Sequence, residues 1–303
     1  MPDNTLTDDA LTDHALSQET GMSLRSYLFV PGDRPERFSK ALATAAHQVV
    51  IDLEDAVAPD AKIQAREGLA KWLESGLPDA DKPRVMIRVN AFGTPWHEDD
   101  VKMVRASPVM RVMVPKAEVA SELADVALRC GDGVSLIALI ESVVGVVQMR
   151  SIAHEKSVSR LAFGSFDYCV DAGVEGSGRE LDYVRSQFVI ESRFAGLAAP
   201  VDGVTLSIDD ADLIAADVAD GRRFGFGGKL CIHPRQVEAV NQGFAPSDAD
   251  FAWAERVLAK LAENPKGAIA VDGKLVDKPI VDRAKRIVAS RVVASRIVAS
   301  LTH

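Results

Sequence analysis

Eight short apolar runs, each followed by a stretch with helical spacing, recur between Ser26 and Pro234. They are SYLFVPG from Ser26, QVVIDLED from Gln48, RVMIRVN from Arg84, VMRVMVP from Val109, SLIALIES from Ser135, RLAFGSFD from Arg160, PVDGVTLSI from Pro200 and GKLCIHP from Gly228. Aliphatic runs of this length alternating with amphipathic segments are the pattern of parallel strands joined by crossover helices. Eight of them predict an α/β chain folded as a (β/α)8 TIM barrel, with a doubly wound open sheet as the alternative. Polar residues follow nearly every run: Asp33, Glu54 and Asp55, Asn90, Lys116, Glu141, Asp167 and His233. The C-terminal strand ends of a barrel share one face, so that geometry would gather these scattered positions around a common centre.

The barrel is expected over residues 23–246. Residues 1–22 are polar and acidic with no apolar segment, which predicts a disordered tail and no secretory signal. Residues 247–303 break the alternation and form a C-terminal extension: a helical stretch from Ser247 to Glu263, a hairpin turned at Asp272-Gly273, and a helix from near Pro279. That helix runs through a five-residue repeat, Arg286 to Ser300, whose apolar positions form no single stripe, since five residues advance a helix by roughly 500°. With 303 residues, 47% of them hydrophobic, the chain can bury a large core. A net charge of −9 argues against nucleic acid as a partner, and no run is long enough to predict a membrane span. Cys130, Cys169 and Cys231 lack CxxC spacing, so a disulfide framework is not expected and a cytoplasmic location is.

Glu141 and Asp167 each close an apolar strand-like run, where an uncompensated charge is costly. Two such carboxylates suit a hard divalent cation, magnesium, which takes one or two carboxylates and completes its shell with water and substrate oxygens. Ion pairing with arginines is the alternative. Gly164 would let backbone approach a ligand closely. Glu54 and Asp55 would orient metal-bound waters or, more simply, cap a helix and stay solvated. Arg66, on the following helix, could pair bidentately with a substrate carboxylate, although helical arginines are usually surface residues. Arg88 shares the strand face of Met86 and Asn90 and would neutralise interior acids. Arg34, Arg37 and Lys40 surround a turn that could attract an anion, without P-loop or dinucleotide spacing. His233 would bind substrate or complete the rim. Lys116 and Lys229 raise a Schiff-base mechanism, which a charged partner at Lys116, such as Glu118, would oppose.

Together RSYLFVPGDRPERFSKAL, VVIDLEDAV, AKIQAR, IRVN, VMVPKAE, ALIES, AFGSFD, KLCIHPRQV and DGKLVDKP, in this order from Arg25 to Arg286, resemble the citrate lyase β-subunit-like family, which includes malyl-CoA and citramalyl-CoA lyases. The resemblance implies a TIM barrel with a C-terminal lid, magnesium held by Glu141 and Asp167, and Glu54 and Asp55 behind the metal's waters. It implies Arg66 on the carboxylate of a 2-oxo acid; Lys116, Gly164 and His233, from the residues themselves, are the further substrate-contact candidates. Asp277 would be the acid of a lid that reaches a neighbouring subunit's site, hence a homo-oligomer, a trimer or a multiple of it; read alone, Asp277 is a helix-capping residue. The implied reaction is carbon-carbon cleavage or formation of a short 3-hydroxyacyl-CoA. The alternatives are the citryl-thioester subunit of a citrate lyase complex served by an acyl carrier protein, a malyl-CoA-type thioesterase, and a non-catalytic binding subunit.

Overall fold

The computed structural model describes residues 24–176, 178–264 and 269–301, with side chains as far as Ser290. The expected tail, residues 1–22, lies outside the described residues. Two compact units are formed, Leu24–Phe244 and the segment from Ala245 onward.

The first unit is a closed barrel of eight strands in sequence order, all parallel. Its elements are β1 (Ser26–Pro31), α1 (Phe38–Leu42), β2 (Gln48–Asp52), α2 (Lys62–Glu74), β3 (Val85–Arg88), α3 (His97–Arg105), β4 (Arg111–Val114), α4 (Ala120–Cys130) and β5 (Ser135–Ile140). They continue with α5 (Val143–Ala153), β6 (Val158–Phe163), α6 (Ser165–Ala172), α7 (Asp182–Phe194), β7 (Val201–Asp202), α8 (Ala211–Phe224), β8 (Gly228–Cys231) and α9 (Pro234–Gly243).

Strand alternation divides the core in two. Tyr27, Val50, Met86, Met113, Leu139 and Leu230 pack in the bore. Leu28, Ile51, Ile87, Val112, Ile140 and Cys231 face the helices and belong to the larger outer core. Each strand thus buries both faces, as a parallel sheet covered by helices requires. The same parity points Asp52, Arg88 and Glu141 into the bore, each two residues beyond a bore residue. It turns Lys229 outward, between Gly228 and bore-facing Leu230, where Asp202 lies 3.6 Å from its ammonium. Lys229 is therefore no Schiff-base candidate for a site in the bore.

Two elements differ from the sequence expectation. The seventh run yields only two strand residues, and Gly203, which follows them, passes tightly against the start of α6; a Cβ there would collide with Ser165 Oγ. The sixth strand stops at Phe163, and Asp167 sits in the first turn of α6 rather than at a strand end. A helix N-terminus favours a carboxylate there through its dipole.

In the second unit α10 (Asp248–Glu263) starts with a Ser247–Asp250 capping box. A hairpin follows, β9 (Ile269–Val271) and β10 (Lys274–Val276), then α11 (Lys278–Leu301). Asp272 and Gly273 have φ of 53° and 75°, the left-handed pair a two-residue turn demands, as the sequence predicts. Ala254, Val257, Val271 and Ala284 form this unit's own core.

Candidate active site

At the C-terminal strand ends a cavity of about 470 Å³ opens, with Asp52, Asp55, Arg88, Glu141, Gly164 and Asp167 on its wall. Asp52 and Arg88 are register partners on β2 and β3, and their side chains meet in a two-pronged ion pair: Arg88 Nε and Nη2 donate to Asp52 at 2.7 and 2.6 Å. Arg88 Nη1 also lies 3.0 Å from Glu54 and 3.5 Å from Asp55, while its guanidinium stacks 4.8 Å from the centre of the Phe29 ring. Glu54 receives a further contact from Lys116 Nζ at 3.3 Å.

Glu141 follows β5 and is buried. Its Oε1 accepts the backbone N–H of Lys116 at 2.8 Å. That contact requires Lys116 to adopt φ of 47°, the left-handed region that a side chain with a Cβ enters at a cost of about 1–2 kcal/mol. The other oxygen, Oε2, faces Gly164, where a Cβ would stand only 2.6 Å away.

The electrostatics show what the cluster lacks. Five carboxyl groups, Asp52, Glu54, Asp55, Glu141 and Asp167, gather around the cations Arg88 and Lys116, with the ammonium of buried Lys62 behind them on the Leu53 and Glu54 carbonyls. Burial pushes Glu141 up to about 8, and the charge of Glu54 adds to the shift against the Lys116 amide. Burial likewise lifts Glu54 to about 7, opposed by Arg88. Asp167 is raised by burial and by Asp55. Burial acts to lower Lys116, yet Glu54 and Asp55 hold its ammonium above the usual range, which opposes a neutral lysine nucleophile. Its partner is Glu54 and not Glu118, which instead accepts Ser142 Oγ at 2.6 Å.

These residues could hold a hard divalent cation. The acids outnumber the cations, and both Glu141 and Asp167 stand on the cavity wall, Glu141 packed against the Gly164 backbone. Among the described residues no group of three or more acidic, histidine or cysteine side chains is arranged to enclose a metal, so the two carboxylates would leave most of an octahedral shell to water and substrate.

Other expected site residues are placed differently. Arg66 Nη1 donates to buried Asp100 at 2.9 Å and Nη2 lies 3.5 Å from Asp99; it is not on the cavity wall. Asp100, which also accepts the backbone and side-chain N–H groups of Asn90, is the residue the sequence reading missed. Its only signal was the acidic run Glu98–Asp100. His233 caps α9, its Nδ1 accepting the Arg235 N–H at 3.2 Å, while its neighbour Ile232 reaches the cavity. Asp277 belongs to the second unit and caps α11, accepting the Ile280 N–H at 3.2 Å.

Residues 25–234 match the family model described as HpcH/HpaI aldolase/citrate lyase. The chain belongs to the HpcH/HpaI aldolase/citrate lyase family. A citrate lyase subunit beta-like protein of Deinococcus radiodurans is 36% identical over 267 residues, 85% of this chain and 93% of that one. A (3S)-malyl-CoA thioesterase of Cereibacter sphaeroides is 34% identical over 84% of this chain and 89% of its own. Among solved structures, the Mycobacterium tuberculosis protein CitE in complex with magnesium, acetoacetate and coenzyme A superposes with a TM-score of 0.77 at 32% identity, covering 89% of this chain and 98% of that one. No described helix of this family member is long and apolar enough to cross a membrane.

Proposed function

We propose that this family member is a magnesium-dependent carbon-carbon lyase that cleaves or forms a short 3-hydroxyacyl thioester, such as malyl- or citramalyl-coenzyme A, to and from an acetyl thioester and a 2-oxo acid. The observation that carries the reading is the pair Glu141 and Asp167 on the wall of an acid-rich cavity, with Glu141 packed directly against the Gly164 backbone, where no Cβ would fit. Those two carboxylates would hold the magnesium ion, with Glu54 and Asp55 orienting its waters. Bound there, the ion supplies Lewis acidity at the oxygen of the 2-oxo acid.

The chain's own residues supply the rest. Arg88 is the cation on the cavity wall; Arg66 contacts a substrate carboxylate once it releases the exposed Asp99 and keeps Asp100. Lys116 and His233 border the substrate, and Arg34, Arg37 and Lys40 face the phosphates of the coenzyme arm. In cleavage the 3-hydroxyl gives up its proton and becomes the carbonyl of the 2-oxo acid. The C2–C3 bond breaks, its electron pair stays on C2 as the thioester enolate, and C2 takes a proton. Asp277, delivered by a second copy of the chain in a homo-oligomer, is the proposed donor of that proton and its acceptor in the reverse reaction. The free thiols of Cys130, Cys169 and Cys231 support a cytoplasmic location.

The test offers acetyl-CoA or propionyl-CoA with glyoxylate, pyruvate or oxaloacetate. Product is expected with magnesium and not after chelation; turnover indifferent to the chelator would sink the metal assignment. A hydrolytic reading is favoured by the 34% identical malyl-CoA thioesterase, and release of free malate with coenzyme A from malyl-CoA would decide for it. Faster turnover on an acyl carrier protein than on coenzyme A would point to a citrate lyase subunit.

A further inference from the structure

A second cavity, of about 440 Å³, lies against the first and shares Ser165, Phe166, Val204 and Leu206 with it. Its far wall is mainly apolar, built by Val170 of α6, by Val174 and Leu181 beyond that helix, and by Leu213 of α8. Among the described residues no lysine, arginine or histidine lines it. Its one acid, Asp217, is already engaged: it accepts Thr205 Oγ1 at 2.6 Å and lies 4.0 Å from Lys229 Nζ. A carboxylate or phosphate would meet no cation there, whereas the first cavity offers Arg88. The partition itself is apolar, and Phe166 and Leu206 are 56% and 64% exposed, so neither is fixed in a packed core.

We propose that this second cavity receives the hydrocarbon substituent on the α carbon of the thioester's acyl group, so that the enzyme accepts acyl-CoA substrates longer than propionyl-CoA. The inference rests on the lyase reading and deepens it. The α carbon must lie beside the 2-oxo acid in the first cavity for the bond to form or break, and any chain it carries has to leave through a wall. The cavity across Phe166 and Leu206 is an uncharged continuation of the first. Those two residues then set acyl-chain specificity. The phosphates of the coenzyme would find no counter-charge in this cavity, which suits it to an uncharged chain.

Calorimetric binding of acetyl-, butyryl- and hexanoyl-CoA tests the proposal, alongside turnover of each with glyoxylate. Affinity should rise with chain length by up to about fourfold per methylene buried. In Leu213→Trp and Val170→Trp, each placing bulk in the far cavity from an exposed helical position, the ratio of hexanoyl- to acetyl-CoA affinity should collapse toward unity. Melting temperatures check that both variants fold. A flat series in the unaltered enzyme, or a chain-length gain that survives both tryptophans, overturns the proposal. Acetyl-CoA turnover with a flat series sinks the second cavity alone. Absence of turnover with any 2-oxo acid sinks the lyase reading, and the binding series still decides the cavity.

Discussion

At the N-terminal end of the barrel, guanidinium groups donate mainly to backbone carbonyls; at the C-terminal end, carboxyl groups crowd around too few donors. Arg160 donates to the carbonyls of Ala199 and Leu24 and to Tyr27 Oη at 2.5, 2.7 and 2.7 Å. Arg84 donates to the carbonyls of Thr44 and Ala46, both at 3.0 Å, and Arg25 to that of Asn241 at 3.3 Å. Burial lowers Arg25 and Arg111, so this end too carries a desolvation cost. Its cations, however, tie down loop carbonyls that would otherwise be buried without partners. Two acids at the mouth also bind backbone, Asp52 accepting the N–H groups of Glu54 and Ala56 and Glu141 that of Lys116, but the cluster as a whole has more carboxyl groups than cations to pair them. Buried charge by itself therefore does not identify a site. What does is buried charge whose partners run out beside a cavity.

The comparison breaks most sharply on a single carboxylate. Glu141→Gln keeps the shape but removes the charge, and turnover should fall by at least about a thousandfold in steady-state assays. The rise in melting temperature that magnesium gives the unaltered protein should vanish with it. Unchanged magnesium stabilisation in this variant would move the metal away from Glu141. At the opposite end Arg160→Leu should cost about 3 kcal/mol in urea unfolding, because it strands three buried acceptors. Its turnover per folded molecule should stay normal; a variant that kept its stability would show the floor is not held by these bonds.

Much of this division was legible in the residues. Alternation through SLIALIE places Glu141 on the parity of Ile137 and Leu139, and the same count through GKLC would have turned Lys229 outward. The barrel followed from eight apolar runs, since burying both faces of a strand leaves little choice of residue. Asp167 was misplaced because RLAFGSFD carries no period that separates a strand end from the first turn of a helix. The left-handed Lys116 and the Arg66–Asp100 pair, 34 residues apart on α2 and α3, are set by tertiary packing and leave no local signature. The close pass of Gly203 against α6, after the short β7, is likewise tertiary.

His47, just before β2, extends the contrast to pH. Burial and the nearby Arg25 and Arg84 hold it down to about 4, and its Nδ1 accepts the Arg25 N–H at 2.9 Å. The unfolded chain would protonate it near 6.5, so between 6.5 and about 4 the unfolded state binds more protons. Stability from this group is therefore full above 6.5 and is lost as pH falls, approaching about 3 kcal/mol by pH 4. Urea midpoints of the unaltered protein and His47→Gln, compared at pH 7 and 4.5, isolate the contribution. Parallel losses in both would remove His47 from the account.

Gly164→Ala probes the mouth more gently than removing a charge. The added methyl would lie 2.4 Å from Glu141 Cβ and 2.6 Å from its Oε2. Turning the carboxylate aside relieves only the second overlap, so the start of α6 must also shift against the end of β5, carrying Glu141 and Asp167 out of register with each other. Displacing one proposed ligand while keeping every charge should lower turnover by about a hundredfold, the cost of misplacing a reacting constellation by around an ångström. The shape of the pH profile should be preserved, since no titrating group is lost. Magnesium titrations followed by melting temperature should show weakened binding rather than its loss. Full turnover in this variant would mean that the close approach of Glu141 to the Gly164 backbone is not needed for the site, and the glycine would then serve only the bend from β6 into α6.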